Sequence, residues 1–260
     1  MKMTIVPVAS LIKRGFLIVV LATTGCVTSS QKSASSANPE AANQQHIKLA
    51  LKYIGSENRD LARVHLQKAA KFNSRSAELY NAYALLYQME QEFKLAEDNY
   101  QKALARNKSY TMARYNFAAF LFNQGRMAEA REQMKWVSED LGYERRAQAF
   151  YILGLTQKRM NDTEQALESF EKATQLSSGF SAPYLEAAEL YFQQKNFPLS
   201  KLALDRFKQL SRPTAQSLWL SVRVEDRFGN RDKAASDGLK LKNLFPYSRE
   251  NLAYQAWLKQ

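Results

Sequence analysis

From Ala77 to Tyr110 apolar and polar residues follow a helical period that is interrupted once. Tyr80, Tyr83 and Tyr87 recur three and four apart with Ala84 among them, and beyond Glu90 to Glu92 the spacing resumes with Ala96, Tyr100 and Ala103. Residues at i, i+3, i+4 and i+7 share one helix face, so the stretch predicts two helices joined by a short turn. Numbered from Ala77, bulky side chains occupy positions 4, 7, 11 and 24 and small ones positions 8, 20 and 27. Two antiparallel helices that cross closely need small residues at the crossing and bulky ones beside it.

The same 34-residue template fits six times, from Asn43, Ala77, Thr111, Ala147, Ser181 and Ala215. Four of the steps are 34 residues, and the one into Ala147 is two longer, with the insertion around Glu144 to Arg146. A repeat of this length and size pattern is the tetratricopeptide pattern. The first unit places Ala50, Ala62, Leu66 and Ala69 on the template, the third Phe117, Ala118, Leu121, Ala130 and Met134, and the fourth Phe150, Leu153, Gly154, Ala166, Phe170 and Ala173. The fifth departs at position 20, where Ser200 replaces a small alanine, and the sixth places Val222 and Gly238 at positions 8 and 24. No sustained period-two alternation occurs, so the predicted fold is an all-α superhelix of six helix-turn-helix units over residues 43–248. Residues 249–260 would form one more helix that covers the apolar end of the stack, with Tyr254 and Trp257 as the covering side chains.

The chain before the repeats has another character. Lys2, Lys13 and Arg14 precede a short apolar run, Gly15 to Ala22, and no acid occurs before Glu40. A bilayer span needs about 20 apolar residues, so the run suits the core of a secretory signal peptide over residues 1–25. Cys26 is the single cysteine, which excludes an internal disulfide. Gly-Cys after such a run resembles a lipobox, although Thr23 stands where Leu is usual; the resemblance makes Cys26 the lipidated first residue of the mature chain. Val27 rather than Asp then implies the outer membrane, with the protein on its periplasmic face. Residues 26–42 are rich in Ser, Ala, Gln and Asn and predict a flexible tether.

The net charge is +12, of which the signal segment carries three Lys/Arg. Acids are interleaved throughout and no block of like charges appears, which argues against nucleic acid as a partner. Candidate chemistry is sparse. His46 and His65 have no ligand spacing that would hold a metal, the glycines are isolated rather than grouped in a phosphate loop, and no GxSxG occurs. The reading is a non-enzyme without cofactor or small-molecule substrate.

What remains is the surface of the superhelix. In tetratricopeptide arrays positions 2, 5, 9 and 12 of the first helix line the concave side. That gives Asn81 and Leu85, then Tyr115, Ala119 and Phe122 with Asn116 and Asn123 beside them, then Gln148, Tyr151 and Leu155, then Leu185, Glu189 and Phe192. A partly apolar strip with polar edges suits a peptide or helix from a protein partner.

The stretches LYNAYALLYQMEQEFKLAEDNYQKAL (Leu79 to Leu104) and ARYNFAAFLFNQGRMAEA (Ala113 to Ala130), together with the lipobox-like cysteine and the tether, resemble the type IV pilus biogenesis lipoproteins of the PilF/PilW family. The resemblance implies a pilotin, which binds a secretin subunit and leads it by its lipid to the outer membrane, where the secretin multimerises. A periplasmic tetratricopeptide scaffold for cell-wall enzymes or outer-membrane assembly is the alternative.

Overall fold

The computed structural model describes residues 38–259, so the signal segment, Cys26 and most of the expected tether lie outside the described residues. Thirteen α-helices and no strand occur among the described residues. Six antiparallel pairs follow in order: α1 (Pro39–Gly55) with α2 (Arg59–Phe72), α3 (Ala77–Met89) with α4 (Phe93–Arg106), and α5 (Thr111–Asn123) with α6 (Met127–Glu139). Then come α7 (Arg146–Arg159) with α8 (Thr163–Leu176), α9 (Ser181–Gln193) with α10 (Phe197–Leu210), and α11 (Ala215–Arg227) with α12 (Arg231–Leu244); α13 (Arg249–Trp257) closes the chain. Odd-numbered helices also pack on one another, α1 on α3, α3 on α5, α5 on α7 and α9 on α11. They form the inner layer of the tetratricopeptide superhelix, and the even-numbered helices form the outer one.

The turn inside each pair reproduces the repeat without reference to side-chain size. Glu57, Gln91, Gly125, Asn161, Lys195 and Gly229 all have left-handed backbone, at φ values from 59 to 78°. A residue of this kind ends a helix and lets the following amides bond back to its last carbonyls, as the Glu92 amide does to the Tyr87 carbonyl at 2.9 Å. The six fall in the register of the sequence template, including the longer third step.

Packing explains the template and its exceptions. Ala96, Tyr100 and Ala103 are fully buried, and the Tyr100 ring stands against Phe117 and Phe120 at 5.5 and 5.7 Å between centroids. In the fourth unit a Cβ on Gly154 would come within 2.6 Å of the Phe170 ring, so the bulk of Phe170 demands glycine opposite it. Ser200 is buried in place of alanine because its hydroxyl donates to the Ala188 carbonyl at 2.8 Å. Gly238 stands at a bulky position because Tyr254 of α13 lies on it, and a Cβ there would be 2.2 Å from the tyrosine ring. Trp219, Tyr254 and Trp257 pack together with centroids 6.1–6.3 Å apart, which closes the end of the stack through the two residues expected for it.

One boundary differs from the sequence expectation. The expected tether runs to residue 42, but α1 starts at Pro39, with the Asn38 side chain accepting from the Glu40 amide. Proline at a first helical position and an Asn cap outweigh the low apolar content of the segment. The inserted residues lengthen the connection between α6 and α7 to residues 140–145, where the other connections between pairs are four residues long. Asp140 accepts from the Thr111 hydroxyl, and Arg146 Nε donates to the Ser138 carbonyl at 2.7 Å. The longer link is therefore fastened at both ends, and α6 packs on α7 closely.

Candidate functional site

The inner layer separates the expected groove residues by position. Position 5 of each first helix faces the neighbouring first helix and not the groove. Ile47, Asn81, Tyr115 and Leu185 hold that place and are buried, while Tyr151 and Trp219 are half-buried. Asn81, Tyr115 and Leu185 are thus corrected from groove to seam. Asn81 Oδ1 accepts from Asn116 Nδ2 at 3.0 Å and joins α3 to α5. The Tyr115 hydroxyl accepts from Arg145, whose guanidinium also lies 4.6 Å from the tyrosine ring. Burial pushes the nearby Tyr143 and Tyr110 hydroxyls up to about 12, with the charge of Glu78 acting in the same sense on Tyr110. The sequence template could not make this distinction, since position 5 lies on the inner arc but is covered once the next unit stacks.

Positions 9 and 12 stay open. In the first three units they are Leu51 and Ile54, Leu85 and Gln88, Ala119 and Phe122, all half-buried. In the last three they are Leu155 and Lys158, Glu189 and Phe192, Arg223 and Asp226, of which only Asp226 is fully exposed. Of the expected groove residues, Leu85, Phe122, Leu155 and Phe192 are half-buried on the first helices, as are Asn116 and Tyr151.

The two halves differ in chemistry. Leu51, Ile54, Leu85, Ala119 and Phe122 make a lining along α1, α3 and α5 that is apolar except at Gln88, whose Oε1 accepts from the Tyr100 hydroxyl at 3.0 Å. Beyond Phe122, whose ring carries the Arg159 guanidinium at 4.3 Å, ion pairs join successive first helices. Lys158 meets Glu186 at 2.6 Å, linking α7 to α9. Arg223 meets Glu189 at 2.9 Å, linking α9 to α11, and its guanidinium also stands 4.7 Å from Phe192 and 5.2 Å from Trp219. Glu186 and Glu189, three apart on α9, each hold a cation of a neighbouring unit. Leu51, Ile54, Lys158 and Arg223 were not among the sequence candidates. The same position rule, extended to units one and six, would have found three of them.

His46 and His65 come together across α1 and α2, with their Nδ1 atoms 3.1 Å apart, and they stack near Phe72 and Tyr53. Burial, His46 and Lys68 hold the His65 imidazole below its ordinary value. Among the described residues no three His, Cys, Asp or Glu side chains stand close enough to share a metal ion, and no helix is long and apolar enough to cross a membrane.

Comparison with known proteins gives the chain's relatives. A model of the tetratricopeptide repeat matches residues 147–180, the fourth unit. The chain is 35% identical to the type IV pilus assembly protein PilF of Pseudomonas aeruginosa, over 94% of its own length and 98% of that protein's. A solved structure of Pseudomonas aeruginosa PilF superposes with a TM-score of 0.79 at 35% identity, covering 84% of this chain and 98% of the other. PilW, described as a widely conserved type IV pilus biogenesis factor, superposes with a TM-score of 0.71 at 18% identity, covering 81% and 97%, and this likeness concerns the fold. An uncharacterised protein of Haemophilus influenzae is 26% identical over 54% of this chain and 80% of its own.

Proposed function

Because the chain belongs to the PilF family of type IV pilus assembly proteins, we propose that it acts as a pilotin: it binds a secretin subunit and brings it to the outer membrane, where the subunits multimerise. The observation that carries this reading is the open apolar lining of units one to three. Leu51, Ile54, Leu85, Ala119 and Phe122 offer side chains at the spacing of successive first helices, which suits an extended or helical segment with recurring apolar anchors.

No catalysis is needed. A secretin subunit ahead of assembly carries unpaired strand edges and apolar surface that invite misassembly. A carrier that covers such surface and gathers its cargo at one membrane raises the local concentration of subunits there. In this reading Cys26 bears the lipid, since acyl chains contribute about 0.8 kcal/mol per buried methylene and two or more anchor firmly.

The test is a mild-detergent gel of outer membranes from a deletion strain, probed for detergent-resistant secretin multimers and complemented with variants. Loss of multimers in the deletion, and failure of Leu85→Asp to restore them while folding normally, is the expected result. Cys26→Ala should leave secretin in the wrong membrane. Normal multimers in the outer membrane without the protein would overturn the proposal.

A further inference from the structure

Grooves run between successive even-numbered helices of the outer layer. They lie between α6 and α8, α8 and α10, and α10 and α12, with volumes of about 790, 410 and 350 Å³. The first and third are lined largely by charged and polar side chains. In the third, the buried carboxylates Glu225 and Asp237 already hold Lys201, Asn230, Lys208, Lys240 and Ser221. The middle groove is apolar, lined by Leu167, Tyr184, Ala187, Tyr191, Leu199 and Leu202. Position 7 of the fifth unit, on its floor, is Ala187, where Tyr83, Phe117 and Leu153 stand in the three preceding units. Beside this slot, Leu202 is 68% exposed and Leu199 40% exposed.

An apolar knob next to an apolar slot is a self-complementary surface. Its walls also differ in charge: α8 presents exposed Glu171, with exposed Glu164 two turns before it, whereas α10 presents exposed Arg206 at the rim. We infer that the α8–α10 groove is a self-association surface, on which a second copy of this chain docks about a two-fold axis with Leu202 of each copy in the groove of the other. A two-fold contact buries the same patch on both partners and requires this kind of self-complementarity. Helices α8 and α10 are equivalent in consecutive units, 34 residues apart, so Glu164 stands level with Pro198. With the two α10 helices antiparallel through Leu202, Arg206, one turn beyond it, comes level with Pro198 and hence with Glu164 of the other copy. Two such pairs frame the apolar centre, one at each end. The groove faces away from the inner surface, so a dimer formed here leaves both inner linings open and presents two of them to one assembly.

Sedimentation velocity of the full chain in mild detergent, over a range of loading concentrations, tests the inference. Expected is a concentration-dependent species of twice the protomer mass. Leu202→Glu should weaken it at least ten-fold with helicity unchanged. Glu164→Arg should weaken it likewise, and adding Arg206→Glu to that variant should restore it. A protein that stays monomeric at every concentration leaves the groove to a different partner and overturns the inference. So does a dimer indifferent to Leu202→Glu, and failure of the double reversal to restore overturns the two-fold pairing.

Discussion

The first three units and the last three are built on one template and stabilised by different means. In units two and three the positions that touch hold alanine against aromatic rings, as with Ala96 and Ala103 around Tyr100, and the inner face is left apolar. Unit four keeps that arrangement with Ala166 and Ala173 around Phe170, whereas units five and six bury Ser200, Ser221, Glu225 and Asp237 and place Gly238 at a bulky position. The inner face of units four to six is laced with ion pairs. Apolar surface left open is surface a partner can bury; charges already paired across units are not available in the same way. The contrast divides the molecule into a half shaped to receive and a half shaped to hold.

The largest effect that would sharpen this contrast is in the holding half. Gly238→Ala puts a Cβ 2.2 Å from the Tyr254 ring, and α13 must shift or detach. Overpacking of this sort costs about 3 kcal/mol at the upper end. A urea titration should show a lowered midpoint and, if α13 leaves, a smaller slope, with Trp219 and Trp257 more exposed in fluorescence. An unchanged midpoint would mean that Tyr254 swings aside freely and that the cap is not tightly packed.

Arg223→Ala should come next. It strands Glu189, whose side chain is 15% exposed, and removes the cation that lies on Phe192 and Trp219. Stranding a well-buried charge costs 3–5 kcal/mol, and partial exposure here reduces the expectation to about 2 kcal/mol. Replacing both partners by apolar residues should recover most of the loss. Leu85→Ala in the other half should cost less stability than Arg223→Ala and more partner binding. The reverse ordering would break the division into halves.

Much of this was legible in the sequence, and the missing parts have specific physical causes. The repeat, its register and the closing helix followed from side-chain size at fixed spacing, which is a local property. The start of α1 did not follow, because a composition argument for residues 26–42 outweighed the two local cues Asn38 and Pro39. The burial of Asn81, Tyr115 and Leu185 did not follow either, since it depends on how one unit leans on the next. Gly238 and Ser200 looked like flaws in the template. Each is explained by one partner atom, the Tyr254 ring or the Ala188 carbonyl, that spacing within a unit cannot reveal.

Acid should separate the halves in order. Protonation of His65 is disfavoured in the folded chain, so the unfolded chain binds more protons and the α1–α2 pair loses stability as pH falls below about 6.5. Glu225 and Asp237 act in the same sense, but at lower pH. Burial works against their charge, yet hydrogen bonds from Lys201 and Asn230 to Glu225, and from Lys240 and Ser221 to Asp237, hold both below their ordinary values. Their contribution is complete above those ordinary values of 4.5 and 3.8 and is lost only as pH falls through that range and below it. Hydrogen exchange at pH 5 should therefore show α1 and α2 opening while α11 and α12 stay protected. Simultaneous opening would show that the His46–His65 contact has no part in the acid response.

The smallest effects test the turns, the feature both halves share. Gln91 is exposed, and its left-handed backbone costs a residue with a side chain about 1–2 kcal/mol that glycine avoids. Glycine also gives the unfolded chain more freedom, which offsets about 0.4–1 kcal/mol. Gln91→Gly should then stabilise by somewhat under 1 kcal/mol, and Glu57→Gly and Lys195→Gly by similar amounts. Asn161→Gly should change little, because asparagine tolerates this backbone better than other side chains do. Gly125→Ala should destabilise by about 1 kcal/mol, and since nothing lies within 4 Å of the added Cβ, that loss would be backbone strain alone. Denaturation midpoints in urea resolve differences of this size when measured side by side. If Gln91→Gly lowers the midpoint, unfolded-state entropy outweighs turn strain at these sites, and a glycine such as Gly125 gives its unit no advantage over the glutamine in the unit before it.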